Sequence, residues 1–596
     1  MKFGHNPVIY LWRTMYRYAD SRRKHISLAT FMFFCATTSY LLEPVVFAYF
    51  LNTIQEQGIS AENLPYLFLI LLLFLACEVG FWVFWGPARI IEQKTAFIVR
   101  KNYKEHLLRG VMALPLSWHV DHHSGDTIDK IEKGTSALYN FSAYTFEYLK
   151  ALITLIVAIG ALIYLDLLAA AIVVVAAVCI FYIMIIYDRR LVPGYKRLNQ
   201  FENTISEKVY DVVSNITTVI ILRIEHVIFK TISAAIDASW PQYRKNSFDN
   251  EYKWFWAAVL GRLSVVLAVG AYLFSTIQSG ATILIGSVYV LFSYASRVRE
   301  TFFSFAQLYN KAVQHRAGVA NAEYISKDFA TSDALPDRYL PKDWQSISIK
   351  ELTFSYTGPE YLDLHLEDIE MNLKKGEKIA IIGESGGGKT TFLKVLRGLY
   401  TPKHMRLSID DRHVPGDFDL ISDSIALIPQ DPEIFSATIR ENITLGVEYS
   451  LEEIKKYTDM ASFTEVVIRL PRGLESNIVE KGVNLSGGEK QRLALTRGLL
   501  ASRDKDVILL DEPTSSVDFH NELKIYENIF SNFQAKTVIS SIHRLHLLPL
   551  FDTIFLFKKG KIIAQGNLQH LKENSGDFQA LWEKYLKTQN HTNTIA

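Results

Sequence analysis

Hydrophobic positions divide this chain into two regions of different texture. Six long apolar stretches come first, at Ile26–Leu51, Leu64–Gly86, Tyr144–Leu165, Leu167–Tyr187, Trp254–Phe274 and Ala281–Tyr294. Most reach the roughly 20 residues that a helix needs to cross a hydrocarbon core. The last is shorter and spans only if its helix continues through Ala295–Phe305. Pro and Gly are sparse in the long connections after the second and fourth stretches. A structureless loop of such length is rare in a compact protein, so the spanning helices are expected to continue past the membrane and fold back. Upstream, Val8–Tyr18 mixes aromatics with Arg, which fits either an amphipathic helix along the interface or a basic tail.

After Phe305 the helical pattern runs on to Lys327, and a polar, Pro-bearing stretch, Asp328–Trp344, has the composition of a linker. Beyond it the apolar runs shrink to strand length, as at Ile347–Phe354, Lys378–Ile382, Asp506–Leu510 and Thr537–Ile542. They alternate with helical patterns, the signature of an α/β domain. The expected architecture is multidomain. An N-terminal segment (1–25) precedes an all-α polytopic membrane domain of six helices with long cytoplasmic extensions (26–327). A linker (328–344) then leads to an α/β domain (345–596).

Charge placement orients the helices. Arg13, Arg17, Arg22, Arg23 and Lys24 precede the first stretch, and the two long connections are rich in Lys and Arg. The other three connections, Asn52–Asn63, Asp166 and Ser275–Gly280, contain none. Basic residues stay on the cytoplasmic side, so both termini and the α/β domain are expected there. The totals hide this: 63 Lys+Arg against 62 Asp+Glu leave a net charge of +1, which excludes a general polyanion binder and any nucleic-acid partner. A mean hydropathy of +0.11 averages two unlike regions. Cys35, Cys77 and Cys179 each lie in an apolar run, and three cysteines make no disulfide framework.

The α/β region carries phosphate chemistry. A strand-like run, Lys378–Ile382, leads into Gly383-Glu384-Ser385-Gly386-Gly387-Gly388-Lys389-Thr390, with Thr391 and a helical pattern following. This is G-x-x-x-x-G-K-[ST] in its strand–loop–helix context. Glycines let backbone N–H groups converge on phosphate oxygens, Lys389 supplies a charge, and the Thr390 hydroxyl suits Mg²⁺. Asp506–Leu510 ends in Asp511 and Glu512, placed for a Mg²⁺ shell and for a general base on the attacking water. Leu485-Ser486-Gly487-Gly488-Glu489-Lys490-Gln491 opens a second helix and makes a second anion-binding end. Two phosphate cradles in one domain point to a nucleotide shared between two copies.

Together these motifs resemble the ATP-binding cassette (ABC) family, with Leu485–Gln491 similar to its signature motif. The resemblance implies that Tyr356 stacks on adenine and that Gln430 joins the Mg²⁺ site. It also implies that Ser515-Ser516-Val517-Asp518 is the loop crossing between subunits and that His543 contacts the γ-phosphate. Six spans followed by one cassette resemble the family's exporter-type half-transporters, with Leu114–Ser117 through Gly125–Thr127 and Val213–Ile216 through Glu225 as coupling segments. Pro513 and the Ser-Val pair in the crossing loop depart from the common pattern without removing a functional group. The implied activity is ATP hydrolysis driving export of a lipid, drug-like amphiphile or peptide. The implied partner is a second copy or a paralogous half-transporter, and the implied location is a bacterial inner membrane amid its lipids.

The same architecture also serves importers, whereas an ATP-gated channel or regulator would more often lack Glu512 or His543. A soluble cassette protein is excluded by the spans. Glu43, Glu78 and Arg262, costly to bury in lipid, are candidates for cargo contact or for pairing between helices. His119, Asp121, His122 and His123 are expected to be solvated surface rather than a metal cluster.

Overall fold

The structure, a computed structural model, describes residues 6–122, 124–329, 339–356, 365–416, 418–431, 433–478 and 485–593. His123 and residues 330–338 of the expected linker lie outside them. The chain divides into two compact units, 1–113 with 124–329, and 114–123 with 330–596.

The first unit is helical. Among the described residues five helical segments are long and apolar enough to cross a bilayer: Asp20–Gln57, Leu64–Met112, Thr145–Leu165, Leu167–Ser214 and Glu225–Gln278. Several run far beyond their apolar cores, as the composition of the long connections required. A further helix, Ile285–Ile325, continues unbroken through 295–305 and so satisfies the condition on the last stretch. It starts at Ile285 rather than Ala281. Side chains of the first span take over there: Gln55 Oε1 accepts from Ile285 N at 2.7 Å and Asn52 Oδ1 from Gly286 N at 2.7 Å. These bonds satisfy N–H groups that a helix start leaves without partners.

Pro7–Tyr18 is an ordered helix, capped by the Asn6 side chain on Val8 N at 2.9 Å. Leu11 and Met15 are buried, and the Tyr10 hydroxyl donates to Glu323. The segment is therefore part of the bundle and not a loose tail. Phe68, Leu69, Leu72, Val175 and Val178 are exposed on the spanning helices, as a lipid-facing surface requires.

Between the helices Ser124–Ala143 and Thr145–Leu165 the backbone breaks at Tyr144. Glu92 covers the break, accepting from the Thr145 hydroxyl at 2.7 Å and from Phe146 N at 2.9 Å. Arg89 donates both to Glu92 and to the Ala143 carbonyl, so the buried charge is paired. Glu43 is likewise paired, with Arg297 at 3.3 Å, and Glu78 accepts from Trp82 Nε1 at 2.8 Å. Arg262 is exposed.

Among the described residues the second unit contains ten strands. β1 (Ser346–Ser355), β2 (His365–Lys374), β3 (Lys378–Gly383), β4 (His404–Ile409) and β5 (Arg412–Val414) come first. β6 (Ile425–Ile428), β7 (Val507–Asp511), β8 (Thr537–Ser541), β9 (Thr553–Lys558) and β10 (Lys561–Gly566) follow. An antiparallel sheet has the order β2-β1-β4-β5, and a second sheet the order β10-β9-β3-β8-β7-β6. β9, β3, β8, β7 and β6 are parallel and covered on both faces. Ala380, Ile382, Ile508 and Leu510 enter one core, while Ile379, Ile381, Val507 and Leu509 enter the other. This period of two explains why these strands read as continuous apolar runs. Leu340 and Trp344, at the end of the expected linker, are buried in the second of these cores.

Close helix approach in the first unit depends on small residues. A Cβ on Gly134 would lie 2.4 Å from Ala322 Cβ, and one on Gly318 would lie 3.2 Å from Ala137 Cβ. Gly134→Ala should therefore overpack this seam, at a cost of about 1–3 kcal/mol, and lower the thermal midpoint of the detergent-solubilised chain. Gly86→Ala, with nothing within 4 Å of the added methyl, should leave the midpoint unchanged or raise it. Equal midpoints for the two variants would contradict the packing account.

Candidate functional site

The register of the parallel sheet decides where the chemistry falls. β7 pairs with β8 so that Asp511 stands opposite Ser541, and β3 pairs with β8 so that Ile381 stands opposite Ser541. All three strands end at one edge. The loop after β3 is the glycine-rich segment, the residue after β7 is Glu512, and His543 follows β8. Parallel α/β sheets place ligands at the carboxyl ends of their strands for this topological reason.

Two glycines shape the loop. Gly383 has φ +147°, and a Cβ there would lie 2.2 Å from the Phe557 carbonyl oxygen. Gly388 has φ +101° and leads directly into the helix Lys389–Leu396, where a Cβ would crowd Leu366 at 3.1 Å. Between them Glu384, Ser385 and Gly386 form an exposed turn, and Gly387 N donates to the Glu384 carbonyl at 3.1 Å. Lys389 is buried, and its ammonium donates to the carbonyls of Gly383 at 2.9 Å and Glu384 at 3.0 Å. Burial pushes its pKa down, against the pull of Glu512 and Asp511.

The acidic pair has distinct surroundings. Asp511 accepts from the Thr390 hydroxyl at 3.1 Å and from the Ser541 hydroxyl at 2.7 Å. Burial raises its pKa, and these two hydrogen bonds work in the opposite direction. Glu512 turns away from the strand at φ +45°, a region costly to a residue with a Cβ. Its N–H donates to the Ser541 hydroxyl at 3.1 Å, which helps hold that turn. The turn presents one carboxylate oxygen to Gln430 Nε2 at 3.1 Å and the other to His543 Nε2 at 2.5 Å. Lys389, Thr390, Asp511, Glu512, Gln430 and His543 thus form one polar cluster, although they are scattered over more than 150 positions. Tyr356 lies beside it, with its hydroxyl 3.3 Å from that of Thr391 and its ring edge-on to Tyr400.

Ser486, Gly487 and Gly488 are organised differently. Ser486 and Glu489 form a reciprocal capping box at the start of Gly487–Ala501. Gln491, one turn on, donates to the Ser515 hydroxyl at 2.7 Å and accepts from Ser516 N at 2.7 Å. A Cβ on Gly488 would lie 2.7 Å from the Ser516 carbonyl. The motif is therefore braced against the segment 515–518. Among the described residues no hydrogen bond joins it to the loop 383–390. Sequence reasoning missed Gln491 as a brace and Ser541 as a shared partner of both acids. Ser541's place at the end of an apolar run, two positions before His543, was the only signal.

The cluster brings together a glycine-rich loop at a helix start, a hydroxyl–carboxylate pair and a second carboxylate within reach of a histidine. Two family models match this chain. The ABC transporter model covers residues 366–515, and the ABC transporter transmembrane region covers residues 26–301. The multidrug resistance-like ATP-binding protein MdlB of Buchnera aphidicola is 26% identical over 97% of this chain and 98% of its own length. The β-(1→2)glucan export ATP-binding/permease protein NdvA of Brucella abortus is 24% identical over 96% of this chain and 93% of its own. A bacterial Atm1-family ABC exporter solved with ATP bound has the same fold, with a TM-score of 0.80 at 21% identity, covering 94% of this chain and 99% of that one. The chain belongs to the ABC transporter family, as a multi-pass membrane protein of exporter-type half-transporter architecture whose ATPase drives transport.

Proposed function

We propose that two copies of this chain, or one copy and a paralogous half-transporter, bind ATP between them. The loop 383–390 of one copy and Ser486-Gly487-Gly488 of the other would hold each nucleotide. The observation that carries this reading is the position of Glu512. Its carboxylate reaches both Gln430 and His543, beside the Thr390–Asp511 link. A general base needs such hydrogen-bond reach, and a group to stabilise charge needs to be near it. The bracing of Ser486's motif on Ser515 and Ser516, with no hydrogen bond to its own chain's loop among the described residues, supports its use on a neighbour's nucleotide.

The residues around Asp511 fit Mg²⁺. They offer oxygen donors, the hydroxyl of Thr390 and the carboxylate of Asp511, and Gln430, held on Glu512 through its amide nitrogen, would add its side-chain carbonyl. A hard divalent ion prefers such donors. When bound, Mg²⁺ would offset the phosphate charge. Glu512 would take the proton of the attacking water and His543 would steady the γ-phosphate. Tyr356 would lie against adenine, and Lys389, with the N–H groups of residues 384–391, would cradle the phosphates. Closure of the two cassettes would pass to the helices through the short helices Leu116–Asp121 and Ile216–Leu222, switching the bundle between inward- and outward-facing states. The cargo would be an amphiphile, lipid or peptide exported across a bacterial inner membrane, with the ATPase and both termini in the cytoplasm. The arginines and lysines flanking the spans support that orientation.

Two variants test the site in the full chain. Glu512→Gln should retain ATP binding while hydrolysis falls by about 10²–10⁴-fold, the range expected for loss of a general base. Hydrolysis at the parental rate would remove Glu512 from this role. Ser541→Ala should raise the Mg²⁺ concentration for half-maximal hydrolysis by about tenfold or more, because it removes the hydrogen bond that orients Asp511. An unchanged Mg²⁺ dependence would show that Asp511 does not hold the ion.

A further inference from the structure

The membrane unit contains a polar cavity of about 150 Å³ among three of its long helices. Tyr40 of Arg23–Gln57, Glu147, Lys150 and Thr154 of Thr145–Leu165, and Arg297 and Glu300 of Ile285–Ile325 line it. Of its charged groups, Lys150 and Arg297 are half-buried, while Glu147 and Glu300 are exposed. Two of these are paired. Arg297 lies 4.1 Å over the Tyr40 ring, donates to the Tyr40 carbonyl at 3.2 Å and meets Glu43 at 3.3 Å. Glu300 accepts from Arg299 at 3.0 Å.

The remaining groups are not. Lys150 leans on aromatic walls, 5.3 Å from the Tyr40 ring centre and 5.8 Å from that of Phe146, with no carboxylate in ion-pair reach among the described residues. Glu147 has no cation in such reach among them either. Thr154 is 5% exposed, and its hydroxyl has no hydrogen-bond partner. A buried polar atom left so is costly. Residues 147, 150 and 154 are spaced three and four apart, so they share one helix face. They run along it as carboxylate, ammonium and hydroxyl, with successive turns about 5.4 Å apart.

We propose that this face binds a zwitterion of the phosphoethanolamine type, with its phosphate on Lys150 and Thr154 and its ammonium on Glu147. A lone anion would leave Glu147 without a partner, and a lone cation would leave Lys150 without one. The ligand that matches both carries both charges about one helical turn apart. An ethanolamine phosphate spans that distance, whereas the charges of an α-amino acid lie closer together. The same chemistry occurs in a lipid headgroup and in a free solute. Only the assignment of this ligand as cargo rests on the transporter reading above.

Direct binding tests the site. The full-length chain in phosphatidylglycerol nanodiscs is titrated, without ATP, with dihexanoyl phosphatidylethanolamine, dihexanoyl phosphatidylglycerol and free phosphoethanolamine. The ethanolamine lipid should bind at least tenfold more tightly than the glycerol lipid. Lys150→Gln and Thr154→Val should each weaken it by about tenfold, the loss expected for one charge-assisted or buried hydrogen bond. Lys150→Arg should restore most of the affinity, and Lys101→Gln, at an exposed lysine paired with Glu105, should match the parent. Competition by free phosphoethanolamine would identify a soluble zwitterion, and its failure beside intact lipid binding would identify a headgroup. Equal affinity for the two lipids, or unchanged binding by both Lys150→Gln and Thr154→Val, would overturn the site. A chain that binds the zwitterion but hydrolyses no ATP would instead overturn the transporter reading and leave the site standing.

Discussion

The parallel register of β3, β7 and β8 is the constraint on which the ATPase unit depends. It sets Asp511 opposite Ser541 and brings the three strand ends to one edge. Each strand then delivers a different group there: the glycine-rich loop, the acidic pair and the histidine. A one-residue slip in β7 would turn Asp511 to the other face of the sheet. The cores above and below resist such a slip, because they take alternate residues of the same strands. Packing and chemistry are thus specified by a single alignment.

Ser541 shows how the alignment becomes electrostatics. Its hydroxyl donates to Asp511 and accepts from Glu512 N, so one side chain touches both acids. Asp511 faces the glycine-rich loop through Thr390, while Glu512 leaves the strand with a positive φ and faces Gln430 and His543. Two adjacent carboxylates acquire different partners because the backbone turns between them. The proposed division into ion holder and general base follows from that turn.

The membrane unit solves a different problem, satisfying backbone and charge where water is scarce. Glu92 and Arg89 together serve the break at Tyr144, and Asn52 and Gln55 serve the start of Ile285–Ile325. Glu43 and Arg297 neutralise one another. Against this background half-buried Lys150 and the buried Thr154 hydroxyl stand apart, and with exposed Glu147 they carry the proposed ligand.

Much of this was legible in the chain. Spanning helices announce themselves because lipid demands long apolar runs, and the phosphate loop because its strand–loop–helix order is local. What was hidden depended on distant partners. The last span is diluted by Arg297, Arg299 and Glu300, so its full extent appeared only with the helix itself. Glu43 gave no sign of a partner 254 positions away. Trp344 sat in a polar, Pro-bearing stretch, yet it is buried in the ATPase core. Ser541 gained its role from a pairing between strands that no local pattern records. The signature motif was recognisable, but the neighbour it is proposed to serve belongs to a second chain. The most direct test of that shared site is a disulfide cross-link between copies. The measurement uses the full chain with Glu512→Gln, its three cysteines replaced by Ser or Ala, and Ser385→Cys and Ser486→Cys introduced. A covalent dimer that forms with ATP and Mg²⁺ and is lost with Lys389→Ala is the predicted result. ATP binding without any covalent dimer would contradict it.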